Sequence, residues 1–274
     1  MTTTADPDPV LRNELKQRAV KLKLHGLVAH WEELPEAEIP WVQRLIEWEE
    51  VERRRRGLER RLSAAHIGRF KPLADFDWSW PDQCDQAAVS GFMTLRFIKE
   101  TSNIILVGPN GVGKSMIAQN IAHHAVMQGH SALFINAAQM LGDLAAQDGD
   151  NALRRRLKYY AHPDLLFIDE VGDLSYGNRH ADLLFNIINR RYVLKPTNVT
   201  TNRPIAEWSE VFPNAACVFS IVDRLVHHSE IMVIKGGSYR MREAKERAAS
   251  KKRTVKSRRK SAGHPAPKKP RNSP

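Results

Sequence analysis

Apolar positions along the chain change rhythm near residue 100, from helical spacings to short continuous runs. Between Val10 and Trp31, Leu11, Leu15, Leu22, Leu27 and Trp31 recur at mostly helical intervals, and Pro35 and Pro40 then interrupt the pattern. The spacing predicts one helix over 10–31 and a second from Trp41 to about Ala65, with Leu45, Trp48, Leu58 and Leu62 as its apolar stripe. Residues 68–81 mix Phe76, Trp78 and Trp80 with polar residues and prolines, and they read as a connector. From residue 103 onward, strand-sized runs alternate with helical segments. The candidate strands are Ile104 to Gly108, Ala132 to Asn136, Leu165 to Asp169, Asn198 to Asn202 and Ile231 to Lys235. That alternation predicts an α/β fold with a largely parallel sheet covered by helices on both faces.

Composition narrows the class. With 274 residues, 42% of them hydrophobic, the chain can build one sizeable domain and a smaller partner. No apolar run approaches the roughly 18 residues of a membrane span, and the polar, acidic start lacks the features of a secretory signal. A cytoplasmic protein is expected. Cys84 and Cys217 form no CxxC pair, so neither a disulfide framework nor a structural zinc is expected. The formal charge of +11 is carried by Arg242 to Pro274, where thirteen Lys or Arg face only Glu243 and Glu246. This segment, rich in Lys, Arg, Ser and Pro, predicts a disordered basic tail over 243–274. It suits either solubility or attraction to phosphate backbones through counterion release. A second basic run, ERRRRGLERRL, holds Arg53, Arg54, Arg55, Arg56, Arg60 and Arg61. Those side chains can pair with Glu50, Glu52 and Glu59 or contact a DNA backbone.

The candidate chemistry begins in NIILVGPNGVGKSMIAQNIAHHA, a strand, a glycine-rich turn and an amphipathic helix. Within the loop Gly108, Pro109, Asn110, Gly111, Val112 and Gly113, the glycines let the backbone curl its N–H groups inward at a helix start, which makes an anion cradle. Lys114 is placed to reach β- and γ-phosphates, and Ser115 to give its hydroxyl to Mg²⁺. Downstream, LLFIDE ends in Asp169, suited to the Mg²⁺ shell, and Glu170, suited to orienting and deprotonating an attacking water. Asn202, at the tip of TNVTTNRP, can hydrogen-bond that water or the γ-phosphate, or simply close a turn before Pro204. Phosphoryl transfer also needs positive charge on the γ-phosphate. Arg224 and Arg240 are candidates for it, and structural ion pairs are their other reading. The aromatics of the connector either anchor it on the next domain or contact adenine.

The blocks GPNGVGKS, LLFIDEVGDL, ADLLFNIINRRY, TTNRPIAEW and DRLVHHSEIMVIKGGSYRMR together resemble the IstB-like family of AAA+ ATPases, helpers of bacterial insertion sequences and relatives of the DnaC/DnaI helicase loaders. The likeness extends over about residues 10–245. It implies a P-loop AAA+ core with a parallel five-stranded sheet over 69–242, preceded by a small all-helical DNA-binding and assembly domain over 1–68. It also implies ATP and Mg²⁺ as cofactors, assembly as a homo-oligomer on double-stranded DNA with ATP sites between subunits, and a partner transposase. Lys114, Ser115, Asp169 and Glu170 match the Walker A and B positions, Asn202 sensor 1, Arg224 the arginine finger given to a neighbouring subunit, and Arg240 sensor 2. Arg154, Arg155, Arg156 and Lys158, just before LLFIDE, are a second candidate DNA surface or else a solvated helix face. The long basic tail departs from the family pattern.

Two other functions share these motifs. A helicase loader has the same ATPase core but delivers a ring helicase to single strands. A passive DNA-coating protein would sense ATP without turning it over, and Glu170 speaks against it, because a sensor needs no water-activating carboxylate.

Overall fold

The computed structural model describes residues 9–173, 177–212 and 216–248, and the chain divides into two compact units, Met1–Ala64 and Ala65–Pro274. The first is helical: α1 (Pro9–Lys21), α2 (His25–Ala29) and α3 (Ile39–Ala64). The single helix expected through Trp31 is interrupted. Lys23 enters the left-handed region at φ 55°, Leu24 N donates to Ala19 O and Lys23 N to Val20 O, which is the double hydrogen bond that terminates helices, usually at glycine.

Helix α3 keeps Pro40 in its first turn, where a missing N–H costs nothing. It buries Ile39, Val42 and Ile46 against Leu15, Ala19, Leu22 and Trp31. The stripe expected through Trp48 is therefore rotated, and Trp41 and Trp48 stay 57% and 58% exposed. Arg18 joins α1 to α3 through a two-pronged bond to Glu50, both contacts 2.9 Å.

The second unit runs α4 (Gln86–Phe92), α5 (Arg96–Lys99), β1 (Asn103–Val107), α6 (Lys114–Met127), β2 (Ala132–Asn136), α7 (Ala137–Ala145), α8 (Asp150–Ala161), β3 (Leu165–Val171), α9 (Asn178–Arg191), β4 (Thr197–Thr201), α10 (Trp208–Val211), α11 (Val218–His227) and β5 (Ser229–Val233), ending in α12 over residues 239–248. All five strands pair in parallel in the order β2-β3-β4-β1-β5. Each lies within two residues of its expected bounds. Helix α12 takes in the first six residues assigned to the tail, because Lys71 pairs with Glu243 at 2.9 Å and Arg242 with Asp77 at 3.1 Å. Residues 249–274, the rest of that tail, lie outside the described residues. Among the described residues no helix is long and apolar enough to cross a membrane.

Strand β4 reads Thr-Asn-Val-Thr-Thr, yet all five residues are buried. Buried polar groups need partners, and two asparagines supply a cross-brace. Asn198 accepts from Ile104 N at 2.7 Å and donates to Leu166 O at 3.2 Å, while Asn103 accepts from Thr197 N at 2.7 Å and donates to Leu225 O at 2.9 Å. β4 is thus tied to β1 and β3 through side chains as well as backbone.

Below it, Arg191 is 1% exposed and donates to the carbonyls of Ala161, Pro163, Asp164 and Pro196 and to the Thr197 hydroxyl. Burial lowers its pKa, and the Asp164 charge partly offsets this. An arginine nonetheless stays protonated. Its acceptors are mostly backbone and cannot be mutated away, so Arg191→Met should cost about 3–5 kcal/mol. The check is the urea midpoint of the core transition, and an unchanged midpoint would show the carbonyls finding water instead.

Candidate nucleotide site at the carboxyl edge of the sheet

Because every strand runs the same way, all five carboxyl ends share one edge, the usual place for ligands in such sheets. The strand order sets β1 between β4 and β5, with β3 beyond β4. The loop 108–113 leaves β1 there and is tied on both sides: Gly108 N donates to Thr201 O at 3.1 Å, and Tyr239 N to Gly111 O at 3.0 Å. Two glycines are required by geometry. Gly113 sits at φ 105°, a left-handed conformation only glycine adopts freely, and a Cβ there would overlap the Phe76 ring. A Cβ on Gly108 would collide with the backbone carbonyl of Ile234.

Lys114 is 5% exposed, and its ammonium donates to Gly108 O at 2.6 Å and Pro109 O at 2.9 Å, across the mouth of its own loop. Burial depresses its pKa, while the charges of Asp173, Asp169 and Glu170 raise it. The next residue, Ser115, donates its hydroxyl to Asp169 Oδ1 at 2.9 Å, and Thr200 donates to the same oxygen. Burial pushes the Asp169 pKa up against these two bonds. Glu170 lies beside it at φ 60°, its amide bonded to Thr200 Oγ1 at 2.9 Å and its Oε2 accepting from Asn136 Nδ2 at 2.7 Å. Its pKa is also raised, by burial first and then by Asp169 and Asp173.

Asn202 directly follows the carboxyl end of β4, with a buried Oδ1 that has no partner within the described residues. Arg240 lies in the first turn of α12, and its charge is felt at both Lys114 and Glu170. It also helps line a cavity of about 220 Å³ beside the loop, with Phe76, Trp80, Val112, Met116 and Tyr239. The connector and α12 form the walls of this cavity, held together by Arg242, which lies 4.5 Å over the Trp80 ring. A glycine cradle, a converging ammonium, hard hydroxyl and carboxylate oxygens and an apolar, aromatic cavity fit a nucleoside triphosphate with Mg²⁺. The orphaned Asn202 oxygen fits an incoming donor such as water.

Arg224 is not part of this group. It occupies the last turn of α11, just before β5 begins, and so lies at the amino edge of the sheet. There its guanidinium stacks on Phe185 at 4.7 Å and Tyr192 at 5.7 Å, and a buried Nη1 lacks a partner among the described residues. The basic residues also differ from one another. On α3, Arg53 pairs with Glu49, Arg55 with Glu52 and Glu59, and Arg56 with Glu52, while Arg54 bonds the Glu50 carbonyl. Arg60 is exposed, and Arg61 has a buried Nε with no partner among the described residues. On α8, Arg156 turns inward to Asp143 and stacks on Tyr159, whereas Arg154, Arg155 and Lys158 are exposed.

Two polar residues of the site carry no motif of their own. Asn136 ends β2 and Thr200 lies in β4, and both reach Glu170 only through the sheet order. An asparagine or threonine near a strand end was the sole signal available.

A P-loop between β1 and α6, paired acids on β3 and this strand order define an ATP-binding protein of the AAA+ class. The sequence narrows the class further. The model of the IstB-like ATP binding protein family matches residues 17–248, and the chain belongs to that family. It is 33% identical over 250 residues to the insertion sequence IS21 ATP-binding protein of Pseudomonas aeruginosa, covering 89% of this chain and 94% of that one. The corresponding protein of insertion sequence IS5376 from Geobacillus stearothermophilus is 34% identical over 200 residues, 73% of this chain and 80% of the relative. Among solved structures, DnaI superposes with a TM-score of 0.53 over 62% of this chain and 93% of its own, at 20% identity, a likeness of fold.

Proposed function

We propose that this chain is a Mg²⁺-dependent ATPase that assembles on duplex DNA, with nucleotide held between protomers, and prepares target DNA for the transposase of an insertion sequence. The observation that carries the reading is the Ser115–Asp169 bond of 2.9 Å with Glu170 beside it, braced by Asn136. A cation-holding pair and a base thus stand together at the head of a P-loop. The backbone amides of 108–113 and Lys114 hold the phosphates, Ser115 and Asp169 hold the cation, and the aromatic cavity takes the base. Bound Mg²⁺ supplies charge neutralisation on the phosphate oxygens. Glu170 takes a proton from water as the water oxygen bonds to the γ-phosphorus and the bond to the ADP oxygen breaks. Asn202 orients that water, Arg240 faces the γ-phosphate, and Arg224 serves the site of a neighbouring protomer.

For DNA, the exposed cations of α8 are better placed than the α3 arginines, since Arg53, Arg55 and Arg56 would first have to leave glutamates of their own helix. The basic tail adds sequence-independent attraction. The relatives' insertion-sequence names favour a transposition helper, whereas the DnaI likeness concerns the fold and names no partner for this chain.

Lys114→Ala tests the reading. Removing a charge-assisted contact to phosphate should weaken ATP binding roughly 10- to 100-fold, and ATP-dependent retention on duplex DNA should fall with it. Unchanged ATP affinity would overturn the site, and preference for single strands would favour a helicase loader.

A further inference from the structure

Between Ile168 and Val171 the pairing of β3 with β4 shifts register. Ile168 faces Val199 and Val171 faces Thr201, so Asp169 and Glu170 together stand opposite the single residue Thr200. This is a bulge, which bends a strand and removes a ladder bond while re-aiming the side chains it carries. Here the bulged residues are the two acids of the nucleotide site, and Glu170 sits at φ 60°, in the left-handed region that costs a non-glycine residue energy.

The Thr200 hydroxyl fills the gap in the ladder. It accepts the Glu170 N–H at 2.9 Å and donates its own proton to Asp169 Oδ1, from a position with no solvent exposure. Ser115 donates to that same Oδ1 from the P-loop side. The Asp169 carboxylate is thereby held by two hydroxyls on one oxygen, and one of them also anchors the backbone from which Glu170 projects. We infer that Thr200 is the positioning residue of the hydrolytic site, a single hydroxyl that sets the cation-holding and water-activating carboxylates at once. The inference rests on the hydrolytic reading above. The requirement is for the hydroxyl rather than the shape: valine matches the volume but would leave the Glu170 amide and the Asp169 oxygen each one bond short in a buried place.

The test compares Thr200→Val, Thr200→Ser and Thr200→Ala. Loss of a group that orients a metal ligand typically costs 10- to 100-fold. Thr200→Val should therefore lower turnover at saturating ATP by about that factor, and raise the Mg²⁺ concentration for half-maximal binding of a fluorescent ATP analogue similarly. Binding of the analogue without Mg²⁺ should stay at the wild-type level. Thr200→Ser keeps the hydroxyl and should restore both quantities to within a few-fold. If the valine variant does not fold, alanine against serine isolates the same hydroxyl. Equal impairment of alanine or valine and serine would reduce Thr200 to packing, and wild-type behaviour of the valine variant would overturn the inference outright. Should the wild type bind the analogue with Mg²⁺ but hydrolyse nothing, the hydrolytic reading fails, while the Mg²⁺ titration still reports whether Thr200 orients Asp169.

Discussion

Glu170→Gln is expected to lower ATP turnover by roughly 10²- to 10⁴-fold, the usual worth of a positioned general base, while ATP still binds. Glutamine has the same length and can still meet Asn136, which now holds the carboxylate at 2.7 Å. What it loses is the capacity to take a proton. Burial and the neighbouring charges of Asp169 and Asp173 already raise the affinity of Glu170 for protons above that of a surface glutamate, which makes it the stronger base. The sign of the pH effect follows. Wild-type turnover should fall as acidity protonates Glu170, starting at a higher pH than an ordinary glutamate would set, and the variant should lack that limb. Phosphate release at saturating ATP, measured across pH, checks both parts. Assemblies of the variant on duplex DNA should persist in ATP if hydrolysis is the step that ends them. Turnover equal to wild type would remove Glu170 from the role of base.

What could be read from the sequence was whatever announces itself locally. The P-loop did, since three glycines, a lysine and a serine between a strand and a helix are a local demand of the phosphate cradle. Strand β4 was also legible, although four of its five residues are polar. The reason those residues can be buried was not, because Asn198 and Asn103 find their partners across 94 residues of chain. The same distance hides Asn136 and Thr200, which lie 34 and 30 residues from Glu170 and meet it only once the strands are ordered. Local signals also misled. Lys23 ends α1 in a conformation normally marked by glycine, and nothing in lysine announces it. On α3, rows through Leu45 and Trp48 or through Val42 and Ile46 both satisfy helical spacing, and only contact with α1 selects the second.

Arg224→Ala should have the largest effect of any single replacement, roughly 10³- to 10⁵-fold in stimulated turnover if its guanidinium meets the γ-phosphate of an adjoining protomer. The expectation comes from where the residue lies. P-loop, Asp169, Glu170 and Asn202 share the carboxyl edge of the sheet, whereas Arg224 precedes β5 at the amino edge. It has no path to its own protomer's phosphates, so it acts on another copy or has no catalytic role. Its surroundings suit the first alternative. Stacking on Phe185 and Tyr192 supports the planar guanidinium, and among the described residues no ion pair engages it. ATP affinity should change little in the variant, since no contact joins Arg224 to its own loop. Mixing supplies the decisive measurement. Arg224→Ala protomers keep an intact P-loop and base, and Glu170→Gln protomers keep an intact arginine, so each is nearly inactive alone. Combined on duplex DNA they create junctions where one chain's Glu170 meets the other's Arg224, and a fraction of wild-type turnover should return. If the mixture stays as inactive as its parts while both variants still assemble, the arginine that completes the site belongs elsewhere in the chain.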